Sequence, residues 1–431
     1  MTTHPELDRA FGRWDLTGVM INATVGAGII GLPGQVFALV GNWDVVVCLA
    51  GGALMALVAT CMAEVGSRFA STGGVYLFIK EAYGPRAGFV AGWLTVVSRL
   101  MSFAAIANLA VIYVSGLLPW VAQPVGRVVF ITGLTVLLTL PVWRGARMSA
   151  ATYNLFTVTK LTLLLGFCMC AAPAVWAHGV PGSPLPPIGN WGRALTLLLY
   201  ALTGLEATVA SNGEMRQPAR DLPFALLSGL AVAVMIYCGV LVASQAVVPD
   251  LAHSARPVFD GAVNMLGPGA GATVVLGSVI SMSGVMFAIL FVGSRALFAM
   301  AVAGQLPASL ARLHAGSLIP RFAVGVHSLV ALGLALSFGF RGAVSAATLT
   351  RLVYYAAIAA ASVTLRRRGF AETAQPLVLP AGVLRAGLVV LLCGAVLTQV
   401  SRNEMITVAV LVVVGLGLGE WFGRARKDVL F

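Results

Sequence analysis

Residues 16–40 contain no Asp, Glu, Lys or Arg, and the run exceeds the roughly 20 residues that a helix needs to cross a bilayer. In its middle stands Gly26-x-Gly28-x-x-Gly31, the glycine spacing of a dinucleotide-binding turn. That turn requires a strand before it, a helix opening at it and a carboxylate about 20 residues on. Here apolar sequence continues on both sides, so the glycines interrupt a membrane segment. Each backbone N–H or C=O left facing lipid costs several kcal/mol, so a break at membrane depth persists only where it is buried in protein or lines a cavity. The motif therefore points to a site inside a membrane protein.

Composition extends this to the whole chain. Fifty-nine percent of the residues are hydrophobic and 10% are charged, with a mean hydropathy of +0.94, whereas soluble domains carry about 25% charged residues. Apolar runs near 16–40, 44–67, 86–118, 124–142, 151–174, 193–211, 223–248, 270–303, 322–340, 343–365, 383–400 and 405–422 predict an all-α multi-pass membrane protein of twelve transmembrane helices. The net charge of +12 is an orientation signal before it is a nucleic-acid signal. With a cytoplasmic N-terminus, only Arg127, Arg193, Arg256, Arg341 and Arg402 fall on the far side. Arg99, Lys160, Arg295 and Arg351 fall inside helices, and every other Lys and Arg is cytoplasmic. Both termini are thus expected in the cytoplasm, in a cell membrane, and no nucleic-acid partner is needed. The N-terminal MTTHPELDRAFGRWD lacks the pattern of a cleaved signal peptide. All six cysteines lie in apolar runs, so neither disulfides nor a metal site is expected.

A second break is expected in LLYALTGLEA, residues 198–207, where Gly204 and the carboxylate of Glu206 lie within the sixth run. Each five-helix half therefore opens with a glycine-interrupted segment, the pattern of an inverted-repeat transporter with a central binding site. The expected organisation is a cytoplasmic segment 1–15, a first repeat 16–174, a second repeat 175–365, helices 11 and 12 over 366–422, and a cytoplasmic tail 423–431.

Four stretches in order carry a family resemblance: GAGIIGLPG in the first run, AEVGSRFASTGGVYLFIKEAYGPRAGFVAGW over 63–93, YALTGLEA followed by NGEMRQPARDLP over 212–223, and GSRALFAMAVAGQLPASLARLH over 293–314. With them the chain resembles the amino acid-polyamine-organocation (APC) superfamily of permeases along nearly its whole length. The resemblance implies the fold of the bacterial sodium-coupled leucine transporter: two inverted five-helix repeats with broken helices 1 and 6, plus two peripheral helices.

Unwinding exposes N–H groups at the positive end of the downstream half-helix, which suits a carboxylate, and carbonyls ending the upstream half, which suit an ammonium. The resemblance implies that the N–H groups of Gly26, Ala27 and Gly28 take the substrate carboxylate. The carbonyls of Ala23 and Thr24, with helix 6 near Leu202 and Gly204, would take its amino group. Tyr200 occupies the place of an aromatic gate, or simply packs. Phe103, Ile106, Thr203, Leu205 and Met286 are candidates for the side-chain pocket. The family keeps a glutamate at the position of Glu206 across differing substrates, which favours a structural role over pairing with a cationic substrate. A neutral L-amino acid is then the expected substrate, with an exchanger, a cationic amino acid or polyamine permease, and a non-transporting sensor as alternatives. A catalytic function has no motif to support it, and a channel has no continuous polar stripe.

Lys160 lies about ten residues inside the fifth run, where an unpaired cation is costly and functional by default; snorkelling is the alternative. By resemblance, a helix 5 lysine in proton-coupled relatives fills the sodium site, touching helix 1 carbonyls near Ala23 and Gly26 and a helix 8 hydroxyl, here Ser281 or Ser283. Protons are therefore expected over sodium, with no other cofactor. Arg99 and Arg351 depart from the family pattern. Each is expected to pair with Glu64 or Glu206 or to sense a substrate carboxylate, and if Arg99 faces the site, an acidic substrate gains over a neutral one. Transport direction and oligomeric state are not legible.

Overall fold

The computed structural model describes residues 12–69, 74–144, 150–179, 182–210, 215, 217–302, 304–314, 319–399 and 401–427. Residues 1–11 and 428–431, and parts of three quoted motifs (70–73, 211–214 with 216, and 303), lie outside the described residues. Seven of the described helical stretches are long and apolar enough to cross a membrane. The first run is broken into α1 (Arg13–Thr24), α2 (Ala27–Gly31) and α3 (Pro33–Val40); α1 and α2 are too short to span, and α3 counts only as the start of the stretch Pro33–Gly66. A single 3-10 turn over Gly41–Trp43 joins α3 to α4 (Asp44–Gly66).

The chain continues through α5 (Gly74–Tyr83), α6 (Pro85–Val114), α7 (Pro124–Trp143) and α8 (Ala150–His178). It then passes through α9 (Ile188–Ala201), a second interruption at 202–204, and α10 (Leu205–Ala210). The remaining helices are α11 (Pro218–Val247), α12 (Pro257–Leu266), α13 (Pro268–Val302), α14 (Arg321–Ser337), α15 (Phe340–Arg367), α16 (Gly382–Leu397) and α17 (Arg402–Lys427).

Two helices stand where the hydropathy pattern predicts only connections. In α5, Val75, Phe78, Ile79 and Ala82 are buried at i, i+3, i+4 and i+7 while Lys80 and Glu81 keep the other face polar, so its apolar stripe is one-sided and escapes a test for continuous hydrophobicity. The short α12 likewise buries Val258, Phe259 and Ala262. Elsewhere large apolar side chains stay exposed on the outer helices, including Leu137 on α7, Met169 and Trp176 on α8 and Leu391 on α16. Such exposure suits lipid and would be a liability in water.

The two interruptions interlock. Gly204 has φ +142, and a Cβ there would lie 2.9 Å from the Ala23 carbonyl carbon and the Thr24 nitrogen; only glycine permits both the angle and the approach. Reciprocally, a Cβ on Gly28 would sit 2.7 Å from Ala201 Cα. The carbonyls ending the two half-helices lack intrahelical donors, and Tyr237 of α11 answers both: its hydroxyl lies 2.7 Å from Thr24 O and 2.9 Å from Ala201 O. Replacing Gly204 by alanine is therefore expected to cost about 1–3 kcal/mol through strain and crowding. Gly18→Ala on α1, where a Cβ meets nothing within 4 Å, should be tolerated. Thermal unfolding of both variants in lipid nanodiscs checks the contrast.

Candidate functional site

A cavity of about 330 Å³ lies where the interruptions meet, within the range of about 300–1,000 Å³ usual for small-molecule sites. The first break contributes Asn22, Ala23, Thr24, Gly26, Ala27 and Gly28, and the second contributes Tyr200, Ala201, Thr203, Gly204 and Glu206. Arg99, Ser102 and Ile106 of α6 form one wall, Gly284, Val285, Ala288 and Ile289 of α13 another, and Phe156 of α8 and Arg351 of α15 complete it. The cavity runs on along Val19, Ala207 and Val292.

Several expected lining residues are elsewhere. Phe103, Leu202, Leu205 and Met286 are fully buried and do not line the cavity. Helical periodicity explains the two helix cases: the stripe 99, 102, 106 on α6 passes beside Phe103, and the stripe 284, 288, 292 with 285 and 289 on α13 turns Met286 away. At the first break, Gly28 approaches α9 rather than open space. Gly26 is the open position: its backbone is extended, and a Cβ there would meet nothing nearer than Thr24 O at 3.8 Å. The Thr24 carbonyl already accepts from Tyr237, leaving one lone pair free.

Lys160 is 1% exposed, and its amine donates to Asn22 O at 2.8 Å and to Asn22 Oδ1. The carbonyl it reaches is thus that of Asn22, not those of Ala23 or Gly26. The Ser281 hydroxyl is buried without a hydrogen-bond partner, and neither Ser281 nor half-buried Ser283 donates to or accepts from Lys160. Asn22 was legible only as the amide one turn before the break in an uncharged run, whose other amide, Gln35, lies beyond the break. No carboxylate pairs with Lys160 among the described residues.

The candidate acids divide cleanly. Glu64 belongs to a cluster at the ends of α4, α15 and α16, with Arg385 at 2.6 Å, Arg366 at 3.3 Å and Arg68 at 3.7 Å. Glu206 is held by Arg351: Nε donates to Oε1 at 3.1 Å, while the hydroxyls of Tyr354 and Tyr355 donate at 3.3 and 2.8 Å. Arg351 Nη2 also donates to Ser102 Oγ at 3.0 Å, and its Nη1 has no partner. Tyr200 lies beside this network, with its ring centroid 6.0 Å from Arg351 Cζ.

A family model for amino acid permeases matches residues 11–416. The chain belongs to the amino acid permease family. Among the permease's relatives, an uncharacterised transporter of Mycobacterium tuberculosis is 30% identical over 376 residues, 84% of this chain and 81% of the relative. The methylthioribose transporter of Bacillus subtilis is 26% identical, covering 83% of this chain and 80% of the relative. The branched-chain amino acid permease of the same organism is 26% identical, covering 72% and 70%. These names differ in substrate, so membership fixes a non-enzymatic transporter of small molecules and leaves the side-chain preference to the cavity itself.

The side chains of Arg351 and Glu206 are 8% and 6% exposed. Removing one partner of such a pair strands a buried charge at a cost of roughly 3–5 kcal/mol, whereas replacing both by apolar groups is often neutral. Glu206→Ala should therefore lower the unfolding temperature sharply, and Glu206→Leu with Arg351→Met should recover much of the loss. A double-mutant cycle by thermal unfolding measures the coupling; additive effects would mean that the pair does not brace the second break.

Proposed function

We propose that the permease is a secondary active transporter that binds an α-amino acid at the two breaks, moves it by alternating access, and couples that movement to protons through Lys160. The observation that carries the proposal is a cavity walled by both interruptions with a buried amine beside it that, among the described residues, has no carboxylate partner. The first-turn N–H groups at Gly26, Ala27 and Gly28 lack intrahelical acceptors and border the cavity, an environment for a carboxylate. The carbonyl of Ala23 and the free lone pair of Thr24 O suit an ammonium group a few ångströms away. A site that hydrogen-bonds both groups rejects ligands lacking either, because its own polar groups are then left unpaired. Polyamines lack the carboxylate. Cationic side chains are disfavoured further because, among the described residues, the only carboxylate bordering the cavity is that of Glu206, already held by Arg351 and two tyrosine hydroxyls.

In this proposal the membrane part comprises twelve helices, with inverted repeats over 16–174 and 175–365 and peripheral helices over 366–422, both termini facing the cytoplasm of a cell-membrane protein. The cavity extends toward the N-terminal end of α1. On the opposite side Gly31 packs against Leu109 and Phe340, and Tyr113 donates to Ile30 O at 2.7 Å. With a cytoplasmic N-terminus, this is an inward-facing conformer. Lys160 bridges α8 to the last turn of α1, so loss or gain of its proton acts directly on the half-helix that ends at the site. Sodium is not required in this scheme, since the ammonium takes the place of the ion.

Two measurements test it. Lys160→Ala should abolish uptake driven by an imposed inward proton gradient in sodium-free proteoliposomes, while substrate binding persists; sodium-dependent, pH-insensitive uptake by the unmodified permease would overturn the coupling assignment. Gly26→Val, which the extended backbone accommodates, should weaken amino acid binding at least roughly tenfold with little change in unfolding temperature. A tenfold change corresponds to about 1.4 kcal/mol, and unchanged affinity would move the site away from the break.

A further inference from the structure

The charges around the cavity do not balance. Its border carries two guanidinium groups, Arg99 and Arg351, and one carboxylate, Glu206. Glu206 is engaged by Arg351 at 3.1 Å, whereas Arg99 makes no hydrogen bond or ion pair among the described residues and is only partly buried. Arg351 keeps one further donor unused: Nη1 is buried without a partner, although the residue is only 6% exposed and borders the cavity. Ser102, one turn from Arg99 on the same face of α6, is drawn toward Arg351 through Nη2. Among the described residues the same border thus presents a guanidinium without a hydrogen-bonded or ion-paired acid and an unpaired guanidinium donor, with no second acid to answer them.

A zwitterionic amino acid brings one ammonium and one carboxylate, both of which the break takes up, and leaves this excess positive charge unanswered. A buried cation is expensive unless paired and hydrogen-bonded. Arginine's forked donors match a carboxylate in two-point geometry. We infer that the substrate of this permease is an α-amino acid whose side chain ends in a carboxylate, received by Arg99 with the free Nη1 of Arg351 as a second donor. The inference rests on the assignment of the cavity as the amino acid site and replaces the neutral side chain expected from the sequence. Arg99 is then the residue that determines specificity, and Arg351 serves both the second break, through Glu206, and the ligand. The names of the three relatives given above specify no acidic substrate, so the prediction separates this chain from those three.

The test uses the full chain in proteoliposomes with labelled L-glutamate and L-glutamine, which differ only in the charge of the side-chain terminus. Uptake and equilibrium binding are measured for each. The unmodified permease should prefer glutamate by at least about tenfold, and glutamate should raise its unfolding temperature more than glutamine does, a comparison that needs no variant. Arg99→Gln should lower the glutamate-to-glutamine ratio at least about tenfold, and Arg99→Lys should restore part of it. Preference of the unmodified permease for glutamine, or an unchanged ratio in Arg99→Gln, overturns the inference while leaving amino acid transport standing. Failure to bind or move any amino acid removes the site assignment, and the inference falls with it.

Discussion

Two helix ends that meet in the membrane interior have to find partners for their terminal carbonyls without help from water, and the rest of the structure follows from how this is done. Tyr237 reaches both Thr24 O and Ala201 O. Gly204 and Gly28 let the two interruptions approach at backbone distance. The helices are therefore open enough to leave N–H groups facing a cavity, yet fixed enough to persist in a medium where an unsatisfied backbone group costs several kcal/mol. A regular helix through Gly26 or Gly204 would satisfy the backbone equally well but would leave no concave surface.

Charge is distributed around this joint in three distinct ways. Glu64 is surrounded by three arginines at the ends of α4, α15 and α16 and holds those ends together away from the cavity. Glu206 is compensated within the membrane by Arg351 and two tyrosine hydroxyls, so its burial braces α10 against α15. Among the described residues Lys160 has only neutral oxygen partners, both from Asn22. A compensated pair is a brace, because removing either member strands the other. An amine held only by neutral groups can exchange its proton without stranding a charge, which fits it for coupling.

Much of this was legible in the sequence, for particular reasons. Long uncharged runs announce membrane helices by length alone, and glycines within them announce breaks, so the interruptions at Gly26 and Gly204 could be read directly. The amphipathic α5 and the short α12 were hidden because one-sided or brief apolar patterns resemble connecting segments. At the breaks the expected Gly26, Gly28, Tyr200 and Thr203 border the cavity while Leu202 and Leu205 do not, because a break exposes some of its residues and packs the others. On α6 and α13 a shift of one position turns Phe103 or Met286 into the packing while Ser102 and Val285 border the cavity. The partner of Arg351 could be narrowed to two acids but not chosen, since Glu64 and Glu206 both lie far in sequence from Arg351. The side chain of Asn22 displaced the expected serine at Lys160 because a single amide next to the break offers both a carbonyl and a side-chain oxygen.

The central claim is that the two interruptions jointly form the substrate site. A cryo-EM structure of the full permease in lipid nanodiscs with a saturating transported amino acid tests it most directly. The account predicts ligand density between the two breaks, its α-carboxylate against the amides of Gly26 to Gly28 and its amino group toward the carbonyls of Ala23 and Thr24. Density bound elsewhere, with this cavity empty or with either helix continuous through its glycine, would contradict it.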